Sequence, residues 1–190
     1  MNLPNALTIS RIVLTFLFIF FICSAGLISK IIAAVIFLIA SLTDFYDGYY
    51  AKKYQLTSDF GKIMDPIADK VLVLAAFFVF THMRLIPVWM FALIFIREVL
   101  ITGWRLAAVL KGEVLAAEKA GKIKTVSQIV VISFILIYIL LKESPFSQSW
   151  TDSFWQGWRL GIDGLMMIAL VLTVFSGAAF LRNNMRLNRH

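Results

Sequence analysis

Four aspartates lie near one another at the ends of two long apolar runs, and their chemistry needs an explanation. They are Asp44, Asp47, Asp65 and Asp69. A charged side chain inside a bilayer costs at least a few kcal/mol, so acids in apolar segments indicate a functional site. On helices of about 3.6 residues per turn, each pair lies on one face, beside the small residues Gly48, Ala51 and Gly61.

Carboxylates that converge repel one another unless cations neutralise them. All-oxygen ligands are hard, so we expect these acids to bind Mg²⁺ or Mn²⁺. The two histidines, His82 and His190, lie outside this stretch, and the single Cys23 is also remote, so a zinc site is not expected. Two divalent ions about 4 Å apart can stabilise the attacking and leaving oxygens of a phosphoryl transfer.

The acids are compatible with two classes of membrane protein. One is a metal-dependent transferase that acts on an anionic lipid, and the other is a cation or proton transporter that uses the acids as an ion path. Transporters usually place their sites near the membrane midplane, between structural repeats. Here the acids lie at segment ends and the sequence has no internal repeat, which favours the transferase. The small residues would let a phosphate ligand approach the backbone, although they equally permit close helix packing.

The elements that carry these acids are predicted to be membrane helices. The chain has 190 residues and is 61% hydrophobic, with a mean hydropathy of +0.87, whereas soluble domains are usually about 45–50% apolar. We therefore predict an all-α, polytopic membrane protein with a single domain, residues 1–190. Six segments are near the roughly 20 residues that span a bilayer: 7–24, 31–52, 60–81, 86–110, 122–141 and 160–181. Residues 142–158 hold three of the five tryptophans and are expected to form an interfacial loop.

The distribution of positive charge predicts the orientation of these segments. With six spans, both termini and the second and fourth loops share one side, which carries eleven Lys and Arg residues against four on the other. The positive-inside rule places that side in the cytoplasm, and the acids with it. This distribution, together with anionic lipid headgroups, also accounts for the net charge of +7. Since no nucleic-acid-binding motif is present, we expect no nucleic acid partner.

The spacing of the acids and small residues resembles the signature of the CDP-alcohol phosphotransferase family, D-x-x-D-G-x-x-A-R-x8-G-x-x-x-D-x-x-x-D. Seven of its eight fixed positions match at full spacing. The exception is Lys52, where the family has arginine; lysine offers a point charge instead of a planar fork. The likeness also includes P-N-A-L-T-I-S-R near the N-terminus, I-R-E-V-L-I-T-G-W-R from residue 96 and G-K-I-K-T from residue 121. It therefore covers nearly the whole chain.

This resemblance implies a fold and an activity. The fold would be a six-helix membrane bundle, commonly a homodimer, with a cavity open to the cytoplasm. The activity would be transfer of a phosphatidyl group from CDP-diacylglycerol to an alcohol, with release of CMP. The nearest likeness is to bacterial members whose acceptor is sn-glycerol 3-phosphate. Sister activities with inositol phosphate, serine or phosphatidylglycerol as acceptor stay open.

The resemblance also assigns roles to individual residues. Asp44, Asp47 and Asp65 would be ligands of two metal ions. Asp69 would be both a ligand and the general base for the acceptor hydroxyl. The residues implied to line the CDP moiety are Asn5, Thr8, Arg11, Gly48, Ala51, Lys52, Ser58 and Gly61.

A phosphate-bearing acceptor requires a second, basic pocket. Its candidates are Arg97, Arg105, Lys122 and Lys124. Arg97 lies well inside the fourth segment, where its alternative role is a structural ion pair. Adjacent residues on a helix point about 100° apart, so a contact between Arg97 and Glu98 is expected to be poor, which favours phosphate binding. For the other three candidates, the alternative is a position at the membrane interface.

Overall fold

The computed structural model describes residues 3–54, 59–110 and 119–187, with side chains for residues 9–43, 67–68, 70–108, 110 and 121–183. Over these ranges the protein is all-helical, which confirms the all-α part of the predicted fold class. Six α-helices and one short 3₁₀-helix follow one another: α1 (Leu3–Cys23), α2 (Leu27–Tyr54), α3 (Asp59–His82), α4 (Val88–Leu110), α5 (Lys119–Glu143), the 3₁₀-helix (Pro145–Ser149) and α6 (Asp152–Leu187). Each predicted segment corresponds to one α-helix, and the first five agree with their predicted ends to within four residues.

The helices pack into one bundle. α1 contacts α2 and α3, α5 contacts α2, α3 and α6, and α4 contacts α3 and α6. Their shared core is built from large apolar side chains; for example, the Phe18 and Phe37 rings lie 5.8 Å apart. Large apolar side chains also face outward, among them Phe16, Ile28 and Leu160, which are 68%, 75% and 72% exposed. Such a surface is unusual for a protein in water and suits contact with lipid.

Two helices, within the part of the chain that the structure describes, have the length and composition of membrane segments. Within the described residues, Gly121–Glu143 and Asp152–Asn183 are long and apolar enough to cross a bilayer. Three shorter apolar stretches are Ile9–Cys23, Leu27–Thr43 and Lys70–His82. These features support membrane association of the protein.

The turn from α1 to α2 sets these two helices side by side. Gly26 adopts a φ of +92°, a conformation that residues with a Cβ rarely adopt. The buried Lys30 ammonium donates hydrogen bonds to the carbonyl oxygens of Ile22 (2.6 Å) and Ser24 (2.8 Å). Carbonyls at a helix C-terminus have no partner within the helix, so this cation satisfies them and complements the helix dipole. The N-terminal half of α1 consequently lies beside the C-terminal half of α2.

The prediction that residues 142–158 form a loop is largely wrong. α5 continues to Glu143, a 3₁₀-helix follows, and α6 begins eight residues earlier than predicted, at position 152. Thr151 caps α6, since its hydroxyl oxygen accepts a hydrogen bond from the Phe154 N–H at 3.4 Å.

Packing against α5 explains why this tryptophan-rich stretch is helical. The rings of Trp155 and Trp158 lie 5.7 and 6.4 Å from that of Tyr138. Trp158 also contacts the Phe134 ring at 4.4 Å. On a helix these two tryptophans, three residues apart, share one face, so both can cover α5.

Candidate functional site

The four aspartates lie on two consecutive helices that meet at one end of the bundle. Asp44 and Asp47 belong to the C-terminal half of α2, and Asp65 and Asp69 to the N-terminal half of α3. α2 contacts α3, and only residues 55–58 separate the two helices in sequence. A connection of that length reaches at most about 18 Å, so the two helix ends must be neighbours. The side chains of these aspartates lie outside the described ones, and their role as ligands stays a prediction.

The donor set fits the metals that the sequence predicts. Among the described side chains, no three His, Cys, Asp or Glu residues lie close enough together to hold a metal ion. The four aspartates remain the candidate metal ligands. They offer carboxylate oxygens alone, which suit Mg²⁺ or Mn²⁺ and not a nitrogen- or sulfur-seeking metal. Their positions on α2 and α3 are compatible with two ions held between these helices.

The residues implied to bind CDP lie on three helices at this same end. Asn5, Thr8 and Arg11 are in the N-terminal half of α1, beside the end of α2. Arg11 is buried, and its carbonyl oxygen accepts a hydrogen bond from the Thr15 hydroxyl at 2.9 Å. Gly48, Ala51 and Lys52 lie in α2 and Gly61 in α3, whereas Ser58 lies outside the described residues.

The buried carboxylate of Glu98, on α4, lies close to three basic side chains, one each from α3, α4 and α5. Glu98 is 2% exposed, and its Oε1 accepts hydrogen bonds from Lys124 Nζ and from Arg97 Nη1, the latter at 3.2 Å. Lys70 Nζ lies 4.0 Å from Oε2. We call Lys70, Arg97, Glu98 and Lys124 the Glu98 cluster. Lys70 directly follows Asp69 in α3. The Glu98 cluster therefore includes a residue of the helix that carries the second pair of aspartates.

Within the Glu98 cluster, Glu98 and Lys124 stabilise each other electrostatically, whereas the three cations repel one another. Lys124 is as deeply buried as Glu98, at 2% exposure, and an isolated charge in such surroundings would be strongly destabilising. Contact between the two reduces that penalty for both. The cluster thereby ties α3, α4 and α5 together at one level of the bundle.

The Arg97 side chain is also fixed by α6. Its Nη2 donates a hydrogen bond to the Ser176 hydroxyl at 2.8 Å. The next residue, Gly177, provides the space: a Cβ at this position would lie 3.2 Å from both Cγ and Nε of Arg97. Arg97 therefore lies against bare helix backbone, with its guanidinium held between α4 and α6.

The prediction that Arg97 and Glu98 pair poorly is wrong. The angular argument applies to the Cβ positions, which do point apart. A guanidinium on a long, flexible stem can still turn back along the helix, and Nη1 reaches the neighbouring carboxylate at 3.2 Å.

The structure brings together two of the four candidates for acceptor binding. Arg97 and Lys124 meet at Glu98, whereas the Arg105 guanidinium lies over the Phe180 ring, 5.1 Å from its centroid. Lys122 is exposed.

Sequence reasoning missed the contributions of Lys70, Glu98 and Ser176. Glu98 was detectable, because it is an acid within an apolar segment, the same criterion that identifies the aspartates. Nothing in the sequence indicates the Ser176 contact, which depends on how α6 packs.

The sequence was compared with families and with individual proteins. The sequence profile of a family described as CDP-alcohol phosphatidyltransferase matches residues 1–175. A Bacillus subtilis (strain 168) protein named CDP-diacylglycerol--glycerol-3-phosphate 3-phosphatidyltransferase is 36% identical, covering 96% of this chain and 95% of the relative. A Salmonella paratyphi A protein of that name is 32% identical over 95% of this chain and 93% of its own. A Rickettsia typhi protein, again of that name, is 35% identical over 72% and 76%.

Proposed function

The chain belongs to the CDP-alcohol phosphatidyltransferase family, and from this premise we propose that it transfers the phosphatidyl group of CDP-diacylglycerol to sn-glycerol 3-phosphate. The products are phosphatidylglycerophosphate and CMP, within phospholipid biosynthesis. We choose glycerol 3-phosphate as the acceptor because relatives named for it resemble nearly the whole chain. One of them is 36% identical over 96% of the chain. The buried cations beside Glu98 are compatible with an acceptor that bears a phosphate.

The four aspartates would hold two Mg²⁺ or Mn²⁺ ions between α2 and α3. Bound there, the ions would neutralise the pyrophosphate of the donor and stabilise CMP as it departs. This assignment is supported by the all-carboxylate donor set and by the position of both pairs at one end of the bundle.

The other steps belong to the protein's own side chains. Asp69 accepts the proton of the acceptor hydroxyl as that oxygen attacks phosphorus. The CDP moiety lies along the N-terminal half of α1 and the small residues of α2 and α3. Lys52 contributes a single positive charge there, in place of the bidentate arginine fork of the family signature.

The acceptor phosphate binds to Arg97 and Lys124, assisted by Arg105 and Lys122. At pH 7 a phosphate monoester carries a charge of about −1.5 to −2, which requires more than one cation. Glu98 acts as a positioning residue, because it holds Arg97 and Lys124 together before the acceptor arrives. Preorganised donors lose little on binding and therefore favour a ligand of matching shape.

The protein crosses the cell (inner) membrane six times in this proposal, with both termini and the aspartates at the cytoplasmic side. The correspondence of six helices to six predicted segments supports this arrangement, as does the ratio of eleven to four basic residues between the two sides. Membership of the family further implies a homodimer.

A single assay tests the function. CMP release from CDP-diacylglycerol by the purified protein is measured with glycerol 3-phosphate, inositol phosphate, serine and phosphatidylglycerol. We expect a response to glycerol 3-phosphate alone, its loss with EDTA and its recovery with Mg²⁺ or Mn²⁺. The Asp69→Asn variant, folded but inactive, supplies the background.

Four results would contradict this proposal in part or as a whole. A response to another acceptor but not to glycerol 3-phosphate would refute the acceptor. Turnover that survives chelation would refute the metal site, and wild-type turnover by Asp69→Asn would remove Asp69 as the base. Metal-driven cation flux in proteoliposomes without CMP release would instead identify a transporter.

A further inference from the structure

A cavity lies at the end of the bundle opposite the aspartates. It has a volume of about 340 Å³ and lies between the α3–α4 turn and the first turns of α6. α3 is 24 residues long, about 36 Å at 1.5 Å per residue, and the cavity adjoins its C-terminal end. We call it the turn cavity; its lining comprises Thr81, Arg84, Leu85, Ile86, Pro87, Val88, Arg159 and Asp163. None of the residues that line the turn cavity has a role in the proposed reaction.

Arg84 occupies a backbone position that favours glycine. The Leu85 N–H donates to the Phe80 carbonyl oxygen at 2.9 Å and the Arg84 N–H to that of Thr81 at 3.0 Å, the two bonds of a Schellman motif. In that motif the residue after the helix adopts a left-handed conformation, and Arg84 has a φ of +57°. Glycine would form the same turn without strain. A strained residue at a cavity suggests that its side chain is needed there.

Arg159 lies beside Arg84 and is held in place. Its Nη1 donates a hydrogen bond to the Arg84 carbonyl oxygen at 3.0 Å. Its guanidinium lies 5.9 Å from the centroid of the Tyr138 ring. An arginine has five N–H donors, so most of them remain available to a ligand. Among the described residues, neither Arg84 nor Arg159 forms an ion pair with a carboxylate.

The charges of the turn cavity match a phosphodiester. Its two arginines and Asp163 carry a formal net charge of +1, by 2 − 1. A phosphodiester has one negative charge and neutralises this net charge, whereas a phosphate monoester carries about −1.5 to −2. Arginine guanidinium groups bind phosphate oxygens through paired, charge-assisted hydrogen bonds.

The surroundings of the turn cavity indicate that the ligand also has apolar chains. Three apolar side chains beside the cavity are largely exposed: Val88 (68%), Trp89 (51%) and Leu160 (72%). The two helices that carry them, α4 and α6, pack against each other. Tryptophan rings favour the level of the lipid headgroups. We propose that the turn cavity binds the phosphodiester headgroup of one phospholipid, in the leaflet opposite the aspartates, with its acyl chains along α4 and α6.

The experiment measures lipid binding and needs no catalysis, so its outcome is independent of the proposed function. Full-length protein in detergent is titrated with phosphatidylethanolamine, diacylglycerol or inorganic phosphate. Native mass spectrometry counts the retained lipid, and thermal unfolding reports stability. We expect one phosphatidylethanolamine per chain to bind saturably, and neither diacylglycerol nor inorganic phosphate to do so.

Arg84→Gly separates binding from folding. Because glycine relieves the strained φ, this variant should unfold at a higher temperature than the wild type in lipid-free detergent. Its affinity for phosphatidylethanolamine should nevertheless fall roughly tenfold or more, as expected for the loss of a charge-assisted hydrogen bond. Arg159→Gln should lose both affinity and stability. The matched control, Arg182→Gln, removes an exposed arginine at the other end of α6 and should bind lipid like the wild type.

Several outcomes would overturn the proposal. One is unchanged lipid affinity in Arg84→Gly. Another is equal loss of affinity in Arg182→Gln, which would indicate attraction by overall surface charge. Equally tight binding of diacylglycerol would exclude recognition of the phosphate. Saturable binding of inorganic phosphate instead of lipid would show a site for free anions.

Discussion

At Glu98, one carboxylate is shared by cations from three helices. Its Oε1 accepts hydrogen bonds from both Arg97 and Lys124, and Lys70 lies near its other oxygen. The buried pair of Glu98 and Lys124 resists displacement, because separating the two would leave each charge alone in apolar surroundings. Glu98 therefore fixes the geometry of the proposed acceptor pocket although it would itself repel a phosphate.

We predict that Glu98→Gln raises the KM for glycerol 3-phosphate roughly tenfold or more, as expected when a hydrogen bond to a charged group is lost. The KM for CDP-diacylglycerol should change little, because the proposed donor site lies on α1, α2 and α3. Steady-state CMP release with each substrate varied in turn measures both values. The exposed carboxylate of α5 provides a control, Glu143→Gln, which should behave like the wild type.

Loss of the carboxylate also removes the partner of the buried Lys124, so folding must be checked by thermal unfolding and size-exclusion chromatography. Glu98→Asp keeps the charge on a shorter stem and should give an intermediate KM for the acceptor. Equal changes in both KM values would indicate a purely structural role for Glu98.

Single residues show where sequence reasoning reaches its limit. The aspartates were predictable, because acids in apolar segments need a reason and their spacing follows helical geometry. The contact between Arg97 and Glu98 was not, because it depends on a flexible side chain. Ser176 and Gly177, which also contact Arg97, lie 79 residues or more away in sequence, and no local sequence pattern indicates such a contact.

At the scale of the element, two of the four glycines of α6 have opposite surroundings. A Cβ at Gly177 would lie 3.2 Å from two atoms of Arg97, whereas a Cβ at Gly164 would meet nothing within 4 Å. The first glycine is required by a side chain of another helix, and the second has no steric requirement.

We predict opposite effects when each glycine is replaced by alanine. Gly164→Ala should stabilise the protein by about 0.5–1 kcal/mol, because alanine loses less backbone entropy in a helix. Gly177→Ala should lower the unfolding temperature and raise the KM for glycerol 3-phosphate, because Arg97 must move. Thermal unfolding in detergent and CMP release measure the two effects. Stabilisation by both substitutions would show that the Arg97 side chain adapts freely.

Helices were the most predictable level of this structure. Long apolar runs identified all six, since a bilayer-spanning length leaves few alternatives. The start of α6 was missed because residues 152–158 contain polar residues, a glycine and two tryptophans, a composition typical of an interface. Contacts of Trp155 and Trp158 with Tyr138 and Phe134 determine the outcome there, and these are tertiary.

At the scale of the whole molecule, the six helices form one bundle whose two ends differ in chemistry. The aspartates and most basic residues belong to one end, and the turn cavity and the tryptophans at 150, 155 and 158 to the other. This division is the basis for the proposed orientation.

We predict that a membrane-impermeant maleimide will distinguish the two ends in spheroplasts. The chain has a single cysteine, so a Cys23→Ser background allows one new cysteine at a time. Glu143→Cys, at the end of α5, should be labelled in intact spheroplasts. Arg182→Cys, near the end of α6, should be labelled only after lysis. The reverse pattern would invert the orientation and place the aspartates outside the cytoplasm.

The shared carboxylate of the Glu98 cluster also restricts how acceptor preference can change during evolution. A mutation that removes Lys124 leaves Glu98 with fewer partners, and one that removes Glu98 leaves a deeply buried lysine without its hydrogen-bond acceptor. Either intermediate is destabilised before any new acceptor is gained. Relatives that use an acceptor without a phosphate should therefore differ at both Glu98 and Lys124. Relatives that use a phosphate-bearing acceptor should keep both residues.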